Sequence, residues 1–402
     1  MQNEFNNQVF LCIFMFSIWF LRKIFLFLRM SPLIGEILAG IILGPHLLNV
    51  VPYQDALKFL GYFGMILLMI ESGIDFQFDE VKKNWKKSIL IALIGLILPF
   101  SLGLLFIYLF NYSYTTLGFI LAAFSLAPTS IGLSLKVLEE NKKLDSDYGQ
   151  YIISIAVLDD IISIIFLSVV NNLISDKNNV GLIILFTILP ILFTLIFGLF
   201  GLKYLPNLID KLLEKIPNNS THFENHDQVV MILFFIVSFT YSIIGHYIGS
   251  SLLGAFIAGL SFSKTDNIHK IWKHQVKRIA KWLITFFFAA TIAFSIPISS
   301  MFNWNCFWQA FIILFVCGIF SKIIGPFLFI KSDGKWKIAW ALVARGELSF
   351  IFVDLAYRNS LFDENLYGTL MWVFLFCCVI SPLIFNRLVK QNTGDGQNII
   401  DF

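Results

Sequence analysis

Charge is scarce in this sequence. Only 14% of its 402 residues are Asp, Glu, Lys or Arg, while 57% are hydrophobic. A soluble domain carries about 25% charged residues, so this chain cannot cover an ordinary water-facing surface. Cysteine is sparse too: Cys12, Cys306, Cys317, Cys377 and Cys378 all fall inside apolar stretches, with neither disulfide nor metal-ligand spacing. The six histidines are scattered, and His46 and His246 read as helix-end residues rather than pH sensors. Long hydrophilic stretches are missing. The largest, 204–227 and 264–277, leave no room for a nucleotide-binding regulatory domain. No helix pairs two histidines with a glutamate and no nucleophile stands beside a base, so the chain does not read as an enzyme. No cofactor motif is present.

Apolar runs fill the sequence instead. About thirteen spans of 15–27 residues are expected, at 8–28, 33–51, 57–74, 88–110, 115–138, 149–173, 180–203, 228–247, 249–263, 278–298, 304–330, 336–358 and 365–388. The first span lacks a basic leader and a small-residue cleavage site, and reads as a retained helix rather than a signal peptide. With the N-terminus outside or lumenal and the C-terminus cytoplasmic, 24 of the 29 Lys and Arg residues fall in cytoplasmic positions. Lys58, Lys177 and Arg358 lie outside, and Lys322 and Arg345 lie within spans. The basic loops read as topology signals rather than lipid-binding sites, and the net charge of +3 speaks of orientation rather than of nucleic acid. The expectation is an all-α multi-pass protein of a lipid bilayer, in the plasma membrane or an intracellular one.

Two adjacent carboxylates stand out against this background. Asp159 and Asp160 interrupt the apolar run from Gly149 to Leu173. An ionisable residue at the centre of a membrane helix costs roughly 2.5–3.5 kcal/mol on insertion scales, so the pair costs about 5–7 kcal/mol. Neighbouring residues on a helix lie about 100° apart, so one aspartate can meet a cation on another helix while its neighbour faces an aqueous cavity. Such a pair points to binding of a cation or a proton inside the membrane.

The chain also repeats itself. Leu33-Ile34-Gly35-Glu36-Ile37-Leu38-Ala39-Gly40-Ile41 returns 219 residues later, Gly35 over Gly254, as Leu252-Leu253-Gly254-Ala255-Phe256-Ile257-Ala258-Gly259-Leu260. The same offset lays Phe63–Phe78 over Trp282–Pro297, and Ala127-Pro128-Thr129-Ser130 over Gly346-Glu347-Leu348-Ser349. Six spans, a linker span at 180–203 and six more spans turn the second half upside down, the inverted-repeat plan of secondary transporters. Each half holds one candidate interruption. Pro128 breaks the helical ladder, with Thr129 and Ser130 offering hydroxyls to the freed groups. Its counterpart puts Arg345, Gly346 and Glu347 in mid-membrane, with Arg345 and Glu347 expected to form a pair that neutralises the broken helix. Counting at 1.5 Å per residue puts Asp159, Pro128, Glu347 and Lys322 at similar depths, about 9–16 Å from the cytoplasmic helix ends. Lys322 is the expected partner of one aspartate, although its nearness to the boundary also allows it to snorkel. Glu36 and Glu71 are single acids with structural or cavity-lining roles.

Ser31-Pro32-Leu33-Ile34-Gly35-Glu36-Ile37-Leu38-Ala39-Gly40-Ile41-Ile42-Leu43-Gly44-Pro45 resembles the N-terminal signature of the monovalent cation/proton antiporter superfamily. The double aspartate resembles its sodium/proton branch, and Phe287-Phe288-Ala289-Ala290-Thr291-Ile292 and Ala344-Arg345-Gly346-Glu347 continue the match over nearly the whole chain. The resemblance implies crossed broken helices within a core of about 88–173 and 304–388. A scaffold of about 8–74 and 228–298 would dimerise, giving a homodimer whose cores move like elevators. It implies Asp160 as the principal ion and proton carrier, Asp159 paired with Lys322, and sodium or potassium held at Asp160, Asp159 and Thr129. Pro128 departs from the family pattern. The double aspartate further implies electrogenic exchange of a monovalent cation, sodium before potassium, for protons. The rival reading is a cation channel using the same acids without proton coupling, but no glycine-rich filter tract is visible.

Overall fold

The computed structural model describes residues 2–28, 30–75, 78–144, 146–175, 180–213, 223–264, 266–296, 298–332 and 334–391. Every named element among them is helical, and the one β-contact is the antiparallel bridge Tyr114–Phe362. The helices run α1 (Gln2–Phe27), α2 (Pro32–Leu43), α3 (Gln54–Ile74), α4 (Phe78–Leu109), α5 (Thr116–Phe124), α6 (Ile131–Glu140), α7 (Asp147–Ser175) and α8 (Val180–Leu213). They continue with α9 (Phe223–Ile248), α10 (Ser251–Phe262), α11 (Asp266–Ile271), α12 (Lys277–Phe286), α13 (Ile298–Met301), α14 (Trp304–Ile313), α15 (Ser321–Phe329), α16 (Gly334–Val343), α17 (Glu347–Arg358) and α18 (Glu364–Gln391). Of three π-helical turns, Trp272–Val276 joins α11 to α12, Leu314–Phe320 joins α14 to α15, and Phe287–Ile292 extends α12 into the 3-10 turn Ala293–Ser295.

Thirteen candidate crossings can be grouped among the described residues. Among the described residues nine helical stretches are long and apolar enough to cross a bilayer, and α2 and α10 are shorter apolar helices. The remaining two crossings are interrupted, α5 with α6 and α16 with α17. The offset of 219 residues extends well past the motifs: it carries Pro32–Leu43 onto Ser251–Phe262 end to end. Both are 12 residues long, about 18 Å, too short alone for a hydrocarbon layer of about 30 Å. The repeated glycine does the same work in each half. A Cβ on Gly35 would sit 2.7 Å from the Leu21 carbonyl carbon, and one on Gly254 would sit 2.6 Å from that of Tyr241. Only glycine lets α2 lie this close on α1, and α10 on α9.

The chain forms two compact units. One comprises 1–52, 78–163 and 292–402, the other 53–77 and 164–291. In the second, α3 packs on α10 and α12 through Gly64, Gly73 and Gly259, each against the opposite backbone. The first is centred on a buried cluster of Ile91, Leu138, Ile152, Ile155, Ile338 and Leu342 with their neighbours. It contains both interrupted crossings, the aspartate pair and Lys322.

Candidate functional site

The site begins where two helices stop. Thr115 starts α5 by accepting a hydrogen bond from the Gly118 N–H at 3.1 Å. The helix unwinds after Phe124, because Pro128 has no N–H to offer and its ring disfavours a helical Ala127. The other interruption is three residues long, 344–346, with Gly346 extended at φ −108° and ψ −171°. The two breaks lie directly against each other. The Ser130 N–H donates to the Ala344 carbonyl at 2.9 Å, and the Ser349 hydroxyl donates to the Pro128 carbonyl at 3.3 Å. Ser134 adds a bond to the Ala341 carbonyl at 2.9 Å. Groups freed by each break are thus met by the other, which is how irregular backbone survives inside a membrane protein.

Lys322 comes to this crossing from α15 and is 2% exposed, so it does not snorkel. Its ammonium donates to the Ala127 carbonyl at 2.6 Å and to the Thr129 hydroxyl at 2.9 Å. Its remaining donor faces Asp159, 3.6 Å from Oδ2. Asp159 is 1% exposed, and neither of its oxygens has a hydrogen-bond partner among the described residues. Asp160, the next residue, is only half-buried. Of the two neighbouring carboxylates, Asp159 lies against the lysine and Asp160 is the more exposed.

Arg345 is fully buried, and its expected pairing with Glu347 is absent. Its guanidinium instead donates to the carbonyls of Cys317, at 3.2 Å, and Gly318, at 3.5 Å, within the π turn before Lys322. The change from α to π hydrogen bonding in that turn leaves carbonyl capacity that the guanidinium uses. Glu347 lies half-buried in the first turn of α17, where the helix N-terminus favours its charge. The structural acids elsewhere are paired: Glu36 meets Arg22 at 2.9 Å, and Glu71 meets Lys277 at 2.8 Å. His46 bonds the Phe294 carbonyl at 2.9 Å.

Three participants are invisible to residue-type reasoning. The Ala127 carbonyl is Lys322's shortest contact, and the Cys317 and Gly318 carbonyls hold Arg345. Main-chain oxygens carry no side-chain signature. Only Pro128 hinted that a carbonyl near it would be free.

Residues 11–391 match the model of the sodium/hydrogen exchanger transmembrane family. The chain belongs to that family. It is 27% identical over 367 residues to a Na(+)/H(+) antiporter of Enterococcus hirae, covering 89% of this chain and 91% of the relative. It is 25% identical to the Na(+)/H(+)-K(+) antiporter GerN of Bacillus cereus, covering 88% and 89%. Among solved structures, the fold of this exchanger-family chain is similar to that of the sodium proton antiporter MjNhaP1 from Methanocaldococcus jannaschii. The TM-score is 0.69 at 16% identity, over 97% of this chain and 99% of the other. The fold is therefore the antiporter fold, all-helical in its named elements among the described residues.

Proposed function

We propose that the chain is a secondary active antiporter that exchanges a monovalent cation, sodium before potassium, for protons by alternating access. The observation that carries this reading is the place of the Lys322 ammonium. It lies against a main-chain carbonyl, a hydroxyl and a carboxylate, the kind of hard-oxygen corner that suits an alkali ion. A cation drawn to Asp159 and Thr129 competes with that ammonium. Asp160, the half-buried neighbour of Asp159, serves as the principal carrier of cation or proton in turn. Loading the cation releases Lys322 from Asp159, and unloading restores the pair. Arg345 and Glu347 serve the broken crossing itself, the first by tying α16's end to the π turn.

The assigned roles extend to the whole chain. The helices at about 88–173 and 304–388 form the moving core, those at about 8–74 and 228–298 form a scaffold that pairs two copies, and 180–203 links them. The N-terminus lies outside and the C-terminus in the cytoplasm, as the basic-residue bias requires. The relatives named above are antiporters, which leaves the channel reading without support.

Flux in proteoliposomes tests the reading. An outward-directed proton gradient drives cation uptake, and the rate ranks sodium, potassium and lithium. Cation movement indifferent to an imposed pH gradient sinks it.

A further inference from the structure

The helical rod that starts at Asp266 carries a charge pattern that topology alone does not require. Lys270, Lys273, His274, Lys277, Arg278 and Lys281 are all exposed. Their spacing of i, i+3, i+4, i+7, i+8 and i+11 sets them in one stripe along the helix. Trp272, Val276 and Ala280, four residues apart, are buried on the other side. In a straight α-helix a four-residue step drifts by about 40°, so this inward row would wind away from its partner. The turn Trp272–Val276 is π-helical, with more residues per turn than an α-helix, which reduces that drift over the step from Trp272 to Val276.

Lys277 is tied to Glu71 at 2.8 Å. Among the described residues, no carboxylate forms an ion pair with Lys270, Lys273, His274 or Arg278. Beyond the stripe stand the exposed Ile279 and Trp282. The apolar stretch Trp272–Ser295 is one of the helices able to cross a bilayer, so the stripe occupies the first turns of an entering helix. It is about 16 Å long.

The positive-inside rule counts basic residues near a span and is indifferent to the face they occupy. A one-faced cationic row with an aliphatic and an indole side chain beside it suits a helix lying among phospholipid headgroups. We infer that this stripe is a binding surface for anionic phospholipid, with Lys270, Lys273, His274 and Arg278 contacting headgroup phosphates. Lys277, held by Glu71, fixes the rod on α3. The inference revises the reading of these residues as topology signals alone and does not depend on the transported ion.

Thermal unfolding of the purified full-length protein in a neutral detergent, with added phosphatidylglycerol or phosphatidylcholine, tests it. Phosphatidylglycerol raises the midpoint of the native protein, phosphatidylcholine does not, and the difference shrinks at high salt. The variant K270Q/K273Q/H274Q/R278Q keeps the lipid-free midpoint and loses more than half of the phosphatidylglycerol shift. A second variant, K273Q/Q275K/R278Q/I279K, keeps the number of positive charges, and so the topology signal, while breaking the stripe. It decides the matter if the first fails to insert: loss of the shift supports the surface, and a shift equal to the native one overturns it. No phosphatidylglycerol-specific shift in the native protein, or a stripe that responds only to an acidic peptide or nucleic acid, overturns it as well.

Discussion

At the scale of single residues, the lysine-centred corner divides labour between two neighbouring carboxylates. Asp160→Asn keeps the shape of the side chain while removing its charge and titratable proton, so it is expected to abolish proton-coupled exchange in proteoliposomes while the protein still inserts and folds. Native-like exchange by that variant refutes the assignment. Asp159 and Lys322 are expected to behave as a coupled pair. Removing the lysine alone leaves a buried carboxylate without its ion-pair partner, a loss of roughly 3–5 kcal/mol in stability. Lys322→Ala should therefore lower the thermal midpoint markedly, and the loss should be smaller in the double variant Lys322→Ala/Asp159→Asn. Additive losses in that cycle mean that the two side chains do not interact. The aspartates stood out in the sequence, since two acids in an apolar run cost about 5–7 kcal/mol to insert. The lysine's place was half legible: helical counting gave its depth, but only the structure shows that it is turned inward, onto the Ala127 carbonyl where the helix has unwound.

At the scale of elements, the repeat was the most readable feature. Its two glycines announced close helix packing, and the structure returns that contact in both halves at equivalent places. The π turns were not readable, because Leu314–Phe320 has the composition of any apolar helix. The same gap explains the mistaken pairing of Arg345 with Glu347. Two opposite charges two residues apart invite a pair, whereas the true acceptors are main-chain oxygens of a distant helix. The crossing also rests on a residue with no side chain. A Cβ on Gly346 would sit 3.0 Å from the Ser130 Cα and 3.2 Å from its Cβ, so backbone must move to admit it. Gly346→Ala is expected to cost about 1–3 kcal/mol of stability, as overpacking does, and to slow exchange. Gly95→Ala is the control: its Cβ would lie 3.6 Å from Lys322 Nζ, an ordinary contact, and both midpoint and flux should stay near native. Equal effects of the two substitutions, read by thermal unfolding and vesicle flux, contradict the view that the breaks are held together at Gly346.

At the scale of the whole molecule, the question is how much charge crosses the membrane in each cycle. Asp159, Asp160 and Lys322 offer three titratable groups at one level, all within one compact unit. If the cation replaces protons on both the aspartate carrier and the lysine, two protons leave for each monovalent cation bound, and one net charge moves per turnover. Full passage of one charge is worth about 2.3 kcal/mol per 100 mV, so voltage should bias the direction of exchange strongly. The place of Lys322 favours this stoichiometry, since a cation that takes Asp159 removes the carboxylate against which the lysine lies. A lysine that stayed protonated throughout would leave one-for-one, electrically silent exchange. Current recordings on a solid-supported membrane separate the two: a cation jump should produce a transient current that Lys322→Gln abolishes while pH-coupled cation flux persists at a reduced rate. A native protein that exchanges cation for protons with no net charge displacement excludes the two-proton cycle and leaves the antiport itself in place.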